Sequence, residues 1–233
     1  MTKLIILPGL DGTGTLHAEF LSALSGTFER SQVLSYPSNE TLGYAELETL
    51  VRAELPGSKP FVLLGESFSG PIALAIAAKP PANLVGLVLS TTFAQRAVAV
   101  PAFLVPLLRL APVRAVPSVL LTWGLLGRWA TPQLTASLQR SLRAVSPSVL
   151  RFRAEASLRV QEPVLADIRV PVLYLRARDD RLIAAKAADY LRASIAQCRI
   201  VDVAGPHLLL QAAPLECAHA VAEFSQQFAS PAR

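Results

Sequence analysis

Gly65-Glu66-Ser67-Phe68-Ser69-Gly70 follows one apolar run, 60–64, and opens another, 71–78. The first run is short and unbroken, as in a strand covered on both faces, and the second has the character of a buried helix. The stretch between them therefore predicts a tight strand-to-helix turn with a serine on it. Such a turn forces its serine into a strained backbone conformation and holds the hydroxyl clear of the sheet. Small residues are needed two places before and two after, because the turn brings those positions against their neighbours. Gly65 and Ser69 fill them, with Gly70 one place later. Ser69 is a poor rival nucleophile, since its own second-following residue is Pro71.

A serine hydroxyl is a weak nucleophile until a base takes its proton, and the base needs a third group to orient it. An acid and a histidine should therefore follow, each on a loop after a later strand. The run 170–176 reads as a buried strand and leads into Ala177-Arg178-Asp179-Asp180-Arg181-Leu182-Ile183. The run 199–203 reads as the next strand and ends in Ala204-Gly205-Pro206-His207. The chain order is thus serine, aspartate, histidine.

Strands are expected at 3–7, 32–35, 61–64, 85–90, 170–176 and 199–203, and helices near 16–24, 44–54, 67–78, 185–194 and 214–228. This alternation predicts a mostly parallel, doubly wound α/β sheet of about six strands. Residues 93–163 break it. Pro101, Pro106, Pro112 and Pro117 divide the first part into short helices, while Thr131-Pro132 and Ser146-Pro147 each read as a helix cap followed by proline in the first turn. The expected organisation is a core of residues 1–92 and 164–233 with a helical cap, 93–163, inserted at the carboxyl ends of the strands. There it can roof the serine as a lid or simply pack on the core.

The elbow, the order of Ser67, aspartate and His207, and the stretch Leu7-Pro8-Gly9-Leu10-Asp11-Gly12-Thr13-Gly14 together resemble the α/β-hydrolase family, of the serine esterase and lipase type. The resemblance covers nearly the whole chain outside the middle segment. The 7–14 stretch stands where the family has its oxyanion loop, with Pro8-Gly9 in place of the frequent His-Gly. This loop and the elbow together are also similar to a subgroup with esterases and acyltransferases among its members. The resemblance implies Ser67 as nucleophile, His207 as base and the backbone N–H groups of Leu10 and Phe68 as oxyanion donors. Related sequences place the acid just before a short apolar pair leading into the next helix. Asp180-Arg181-Leu182-Ile183 matches, so Asp180 is preferred over Asp179, with Asp202 and Asp11 weaker candidates and Glu66 given no chemical role. Leu10, Phe68, Phe93, Phe103, Leu104, Leu107 and Trp123 are available for an apolar acyl pocket.

The expected activity is cleavage of esters or thioesters with short to medium acyl chains. Acyl transfer through the same triad and a non-catalytic binding protein on the same fold are the alternatives, the second disfavoured by intact Ser67, Asp180 and His207. The chain has 233 residues, enough for one domain, and 52% of them are hydrophobic. No cofactor is expected. Gly9, Gly12 and Gly14 have the wrong spacing for a dinucleotide loop, and His17, His207 and His219 have no metal-ligand spacing, His17 and His219 reading as ordinary surface or half-buried residues. Cys198 and Cys217 are too few for a disulfide framework. Residues 1–7 are too short for a secretory signal, and no charge-free run in 97–127 reaches the ~18 residues of a membrane span, so a cytoplasmic location is the default.

The net charge is +5, yet no basic cluster is interleaved with aromatics as nucleic-acid binding would require. The charge concentrates in 93–163, which holds nine arginines (96, 109, 114, 128, 140, 143, 151, 153, 159) against Glu155 and Glu162. Three readings stay open: docking of an acidic acyl-carrier protein, attraction to an anionic surface, and a solvated outer face.

Overall fold

The computed structural model describes residues 2–95 and 118–228. Strands β1 (Lys3–Leu7), β2 (Arg30–Val33), β3 (Phe61–Glu66), β4 (Leu84–Ser90), β5 (Val172–Ala177) and β6 (Cys198–Val203) form one sheet in the order β2-β1-β3-β4-β5-β6. Every neighbouring pair is parallel. Two strand starts lie two residues from expectation. β2 begins earlier, because its register with β1 runs from Lys3↔Arg30 to Ile6↔Val33. β5 begins at Val172, after Pro171, which has no N–H to give to a ladder.

Among the described residues the helices are α1 (Ala18–Ala23), α2 (Tyr44–Glu54), α3 (Gly70–Ala78), α4 (Ser118–Leu125), α5 (Pro132–Arg143), α6 (Pro147–Ser157), α7 (Lys186–Ser194), α8 (Leu209–Ala212) and α9 (Pro214–Ser225). Each strand of the core feeds two interiors, because successive side chains point to opposite faces. Ile5, Leu7, Leu63 and Leu89 pack with α2, α3 and α7 through Leu47, Val51, Ile72, Leu74 and Leu191. Leu4, Ile6, Val62, Leu64 and Val88 pack on the other side with Phe20, Leu24, Val221 and Phe224 of α1, its C-terminal end and α9. Continuous apolar strands follow from this two-sided burial.

The chain leaves β1 outward to β2, then returns to the far side of β1 to make β3. The loops after β1 and β3 therefore diverge and open a crevice at the strand ends. Pro8–Gly14 and Ser67 are the residues at its two lips.

Helices α4 to α6 lie between β4 and β5. α5 starts as its sequence predicts, with Thr131 Oγ1 accepting the N–H of Leu134 (3.1 Å) and Pro132 in the first turn. Pro147 opens α6 likewise, although the Ser146 side chain meets Ser148 Oγ instead of capping. Leu126 and Leu138 pack against Leu16 and Leu208, and Val145, Val149 and Leu150 against Leu10. Residues 96–117, with Phe103, Leu104, Leu107, Arg96, Arg109 and Arg114, lie outside the described residues. Among those described, no helix is long and apolar enough to cross a membrane.

Candidate active site

Ser67 begins a single 3₁₀ turn, Ser67–Ser69, that links β3 to α3. Its φ is 48°, in the left-handed region that costs a non-glycine residue about 1–3 kcal/mol. Neighbours hold it there. Thr92 Oγ1 donates to the Ser67 carbonyl, and Thr92 N–H is itself fixed by Tyr174 Oη (3.0 Å). Thr92 packs so tightly on Gly70 that a Cβ there would collide with it, which explains a glycine at the head of α3. Ser69 is fully buried, and its hydroxyl contacts Tyr36 Oη (2.7 Å) and donates to the Pro8 carbonyl.

Ser67 Oγ lies 2.8 Å from His207 Nε2. His207 Nδ1 lies 3.0 Å from Asp180 Oδ2 and 3.1 Å from Asp180 Oδ1. A carboxylate only accepts, so Nδ1 carries the proton and Nε2 is free to accept from the serine. Asp180 Oδ1 also accepts the N–H groups of Leu182 (2.8 Å) and Ile183 (2.9 Å), which fixes the carboxylate before it meets the ring. The adjacent Asp179 points elsewhere, to Arg128 Nη2 (2.9 Å) and Trp129 Nε1 (3.0 Å). Asp202 pairs with Arg176 in the sheet, and Asp11 accepts from Thr13 and Ser141. A hydroxyl aligned with a base whose far nitrogen is held by a carboxylate can become a nucleophile at neutral pH.

This chain of hydrogen bonds borders a cavity of about 990 Å³. Gly9, Leu10 and Phe68 lie beside Ser67, and Phe93, Leu121, Leu125, Leu138, Leu142 and Leu150 give the walls an apolar character. Phe68 is additionally stacked on Tyr44. Trp123, expected in the wall, is instead 59% exposed, with the Arg181 guanidinium over its ring. Its place on α4 turns it outward while Leu121 and Leu125 turn in.

One correction concerns a titratable residue. His17, read as an ordinary surface or half-buried histidine, is buried at 1% exposure, with Nε2 2.9 Å from Glu66 Oε2 and Nδ1 3.3 Å from the Gly14 carbonyl. Both ring nitrogens thus face acceptors, which suits the doubly protonated ring. Burial opposes that charge, but the Glu66 carboxylate, its hydrogen bond and the Asp11 charge outweigh it and raise the His17 pKa. Glu66, given no role, is buried too, and Gln211 Nε2 donates to its other oxygen (3.0 Å). Burial works against its charge as well, yet His17 and Gln211 hold it below the usual glutamate range. Glu66 immediately precedes Ser67 in the chain, and sequence spacing offers no sign of the pair, since 49 residues separate the partners.

Arg153 was also missed as an individual residue. It falls on the buried stripe of α6 with Val149 and Leu150, so a charged residue in an apolar helical stripe was the available signal. The cysteines offer no competing nucleophile. Burial pushes the Cys198 thiol up to about 11 and Cys217 up to about 12. His219 is exposed on α9. Among the described residues no cluster of histidine, cysteine and carboxylate side chains could hold a metal ion.

Residues 4–223 match the sequence model of a family described as the alpha/beta hydrolase family. The fold is similar to a hydrolase from Pseudomonas aeruginosa PA01, at 22% identity, TM-score 0.77 and coverage of 96% of this chain and 89% of that one. It is similar to MenH from S. aureus, at 16% identity and TM-score 0.79, over 98% and 95% of the two chains. It is also similar to the enol-lactonase from Burkholderia xenovorans LB400, at 16% identity and TM-score 0.75, over 99% and 92%. At these identities the likeness is one of fold. No curated protein matches the sequence.

Proposed function

This chain belongs to the alpha/beta hydrolase family, and from that premise we propose that it is a serine hydrolase cleaving carboxylic esters or thioesters of short to medium apolar acyl chains. The observation that carries the reading is the unbroken hydrogen-bond chain Ser67–His207–Asp180 at the edge of an apolar cavity. Ser67 Oγ attacks the acyl carbonyl as His207 Nε2 takes its proton. Asp180 stabilises the resulting imidazolium. The carbonyl oxygen gains negative charge and is met by the backbone N–H groups of Leu10 and Phe68, donors that need no reorganisation at that moment. His207 then protonates the departing alcohol or thiol, and water repeats the sequence to release the acid. The hydrolase and enol-lactonase of like fold support a hydrolytic reading.

Residues 93–163 serve in this reading as a cap, because Leu121, Leu125, Leu138 and Leu142 of α4 and α5 and Leu150 of α6 supply cavity wall. Acyl transfer to an alcohol is a second reading, favoured by one observation: about 990 Å³ is more room than a short acyl chain fills. A graded series of acyl esters and thioesters, assayed with and without a competing alcohol, separates the two by product. Labelling by a fluorophosphonate tests the nucleophile itself. Failure of the pure protein to react with the probe and with every ester would sink the proposal.

A further inference from the structure

The turn that carries Leu10 is held from the inserted helices by a buried arginine. Gly12 N–H donates to the Gly9 carbonyl (3.0 Å), which closes a turn with Leu10 and Asp11 at its centre. Carbonyl and N–H point in opposite directions across a trans peptide, and the chain has no cis bond among the described residues. With the Gly9 carbonyl directed into the turn, the N–H of Leu10 is directed out of it. The two central carbonyls are left, and Arg153 takes both. Its Nη1 donates to Leu10 O (3.1 Å) and Asp11 O (2.9 Å), while Nη2 donates to Pro37 O (2.8 Å). The guanidinium also lies 5.5 Å from the centre of the Tyr36 ring, and the residue is 1% exposed. Gly12 has φ 70°, and a Cβ on it would strike the guanidinium. A second tie runs from the same helices, where Ser141 Oγ of α5 donates to the Asp11 carboxylate.

A buried cation whose partners are carbonyl oxygens carries a desolvation cost that an apolar side chain would not. What an apolar side chain lacks is a planar fork whose one arm holds the Leu10 and Asp11 carbonyls while the other is anchored on Pro37. We infer that Arg153 is a positioning residue for the reaction, fixing the Leu10–Asp11 turn from the inserted helices so that the Leu10 N–H meets the developing oxyanion. The inference rests on the serine-hydrolase reading. It adds that the oxyanion site is set in part by the insertion rather than by the core alone.

The test compares wild type with Arg153→Gln and Arg153→Lys. The lysine variant keeps the charge, but its ammonium ends about one bond short of the Nη1 position that serves Leu10 O and Asp11 O and cannot also reach the Pro37 carbonyl. Folded variants should lose about 10- to 100-fold in kcat with KM changed less than about threefold. Affinity for an alkylboronic acid, whose tetrahedral adduct on Ser67 places a negative oxygen where the oxyanion forms, should fall by a similar factor. Amide exchange at Leu10 should accelerate. Folded variants that melt earlier yet keep wild-type kcat and boronate affinity overturn the inference, as does failure of both to fold, since Arg153 would then serve the fold itself. A wild type that neither hydrolyses esters nor binds the boronate refutes the serine-hydrolase reading instead, and the inference falls with it.

Discussion

Ser67 occupies a left-handed backbone conformation that its neighbours enforce, and that strain is what presents its hydroxyl to His207. Because the strain is held by Thr92 and by the absence of a side chain at Gly70 rather than by Ser67 itself, Ser67→Ala should fold and melt close to wild type. It should nevertheless lose at least about a thousandfold in turnover, and His207→Ala should add little to that loss in the double variant, since the two act as a unit. Wild-type turnover in Ser67→Ala, measured on the best ester found, would remove the mechanism. The neighbouring aspartates make a second contrast. Asp180→Asn should lower kcat by roughly 10²–10⁴-fold, because the amide cannot hold the ring in the required tautomer. Asp179→Asn disturbs a surface pair with Arg128 and should stay within a few-fold of wild type. Steady-state kinetics on both variants decides it, and the reverse ranking would sink the assignment of Asp180. Ser67 was legible because an elbow needs small residues at fixed offsets, and an acid was expected on a loop after a strand end, but the choice of Asp180 over Asp179 rested on the resemblance to related sequences. Arg153 and the His17–Glu66 pair were not legible, because their partners are far away in the chain and only the folded molecule brings them together.

At the scale of elements, the strands and core helices were legible because two-sided burial writes itself as unbroken apolar runs. The misses fall where a neighbour sets the boundary, as when pairing with β1 shifts β2 toward its start. The loop from β1 to α1 is fastened to the end of β3 by His17 and Glu66, with the Asp11 carboxylate, the Gly14 carbonyl and Gln211 of α8 beside the pair and His207 near Glu66. This fastening should depend on pH. The His17 pKa is raised above its ordinary 6.5, so its contribution to stability is full below 6.5 and is lost as pH rises through the raised value. The Glu66 pKa is lowered from 4.5, so its contribution is full above 4.5 and is lost as pH falls through the lowered value. A double variant, His17→Gln with Glu66→Gln, keeps similar shapes without either charge. The stability of wild type relative to that variant should be greatest between about pH 4.5 and 6.5 and should decline as pH rises through the raised His17 value. Denaturant titrations across and above that range measure it, and a difference independent of pH would show that the pair is not ionised as described.

For the molecule as a whole, substrate preference should follow the apolar wall. Each added methylene of the acyl chain that the cavity buries contributes about 0.8 kcal/mol, roughly a fourfold gain in kcat/KM until the wall is reached. An acyl series from two carbons upward checks this, and a flat profile or a strict preference for acetyl would count against it. Three of the described arginines in residues 93–163 have different settings. Arg128 pairs with Asp179, Arg153 is buried on carbonyls, and exposed Arg143 borders the cavity. Charge counting could locate the excess in this segment but not its uses, because direction along a helix and depth in the fold are three-dimensional quantities. The hold on the Leu10 turn also bears on how such a molecule can be rebuilt. An insertion taken from another hydrolase and grafted between β4 and β5 would arrive without Arg153 and Ser141 in register. It would leave the carbonyls of Leu10, Asp11 and Pro37 and the Asp11 carboxylate without these donors, so core and insertion have to be exchanged together or redesigned as a matched pair.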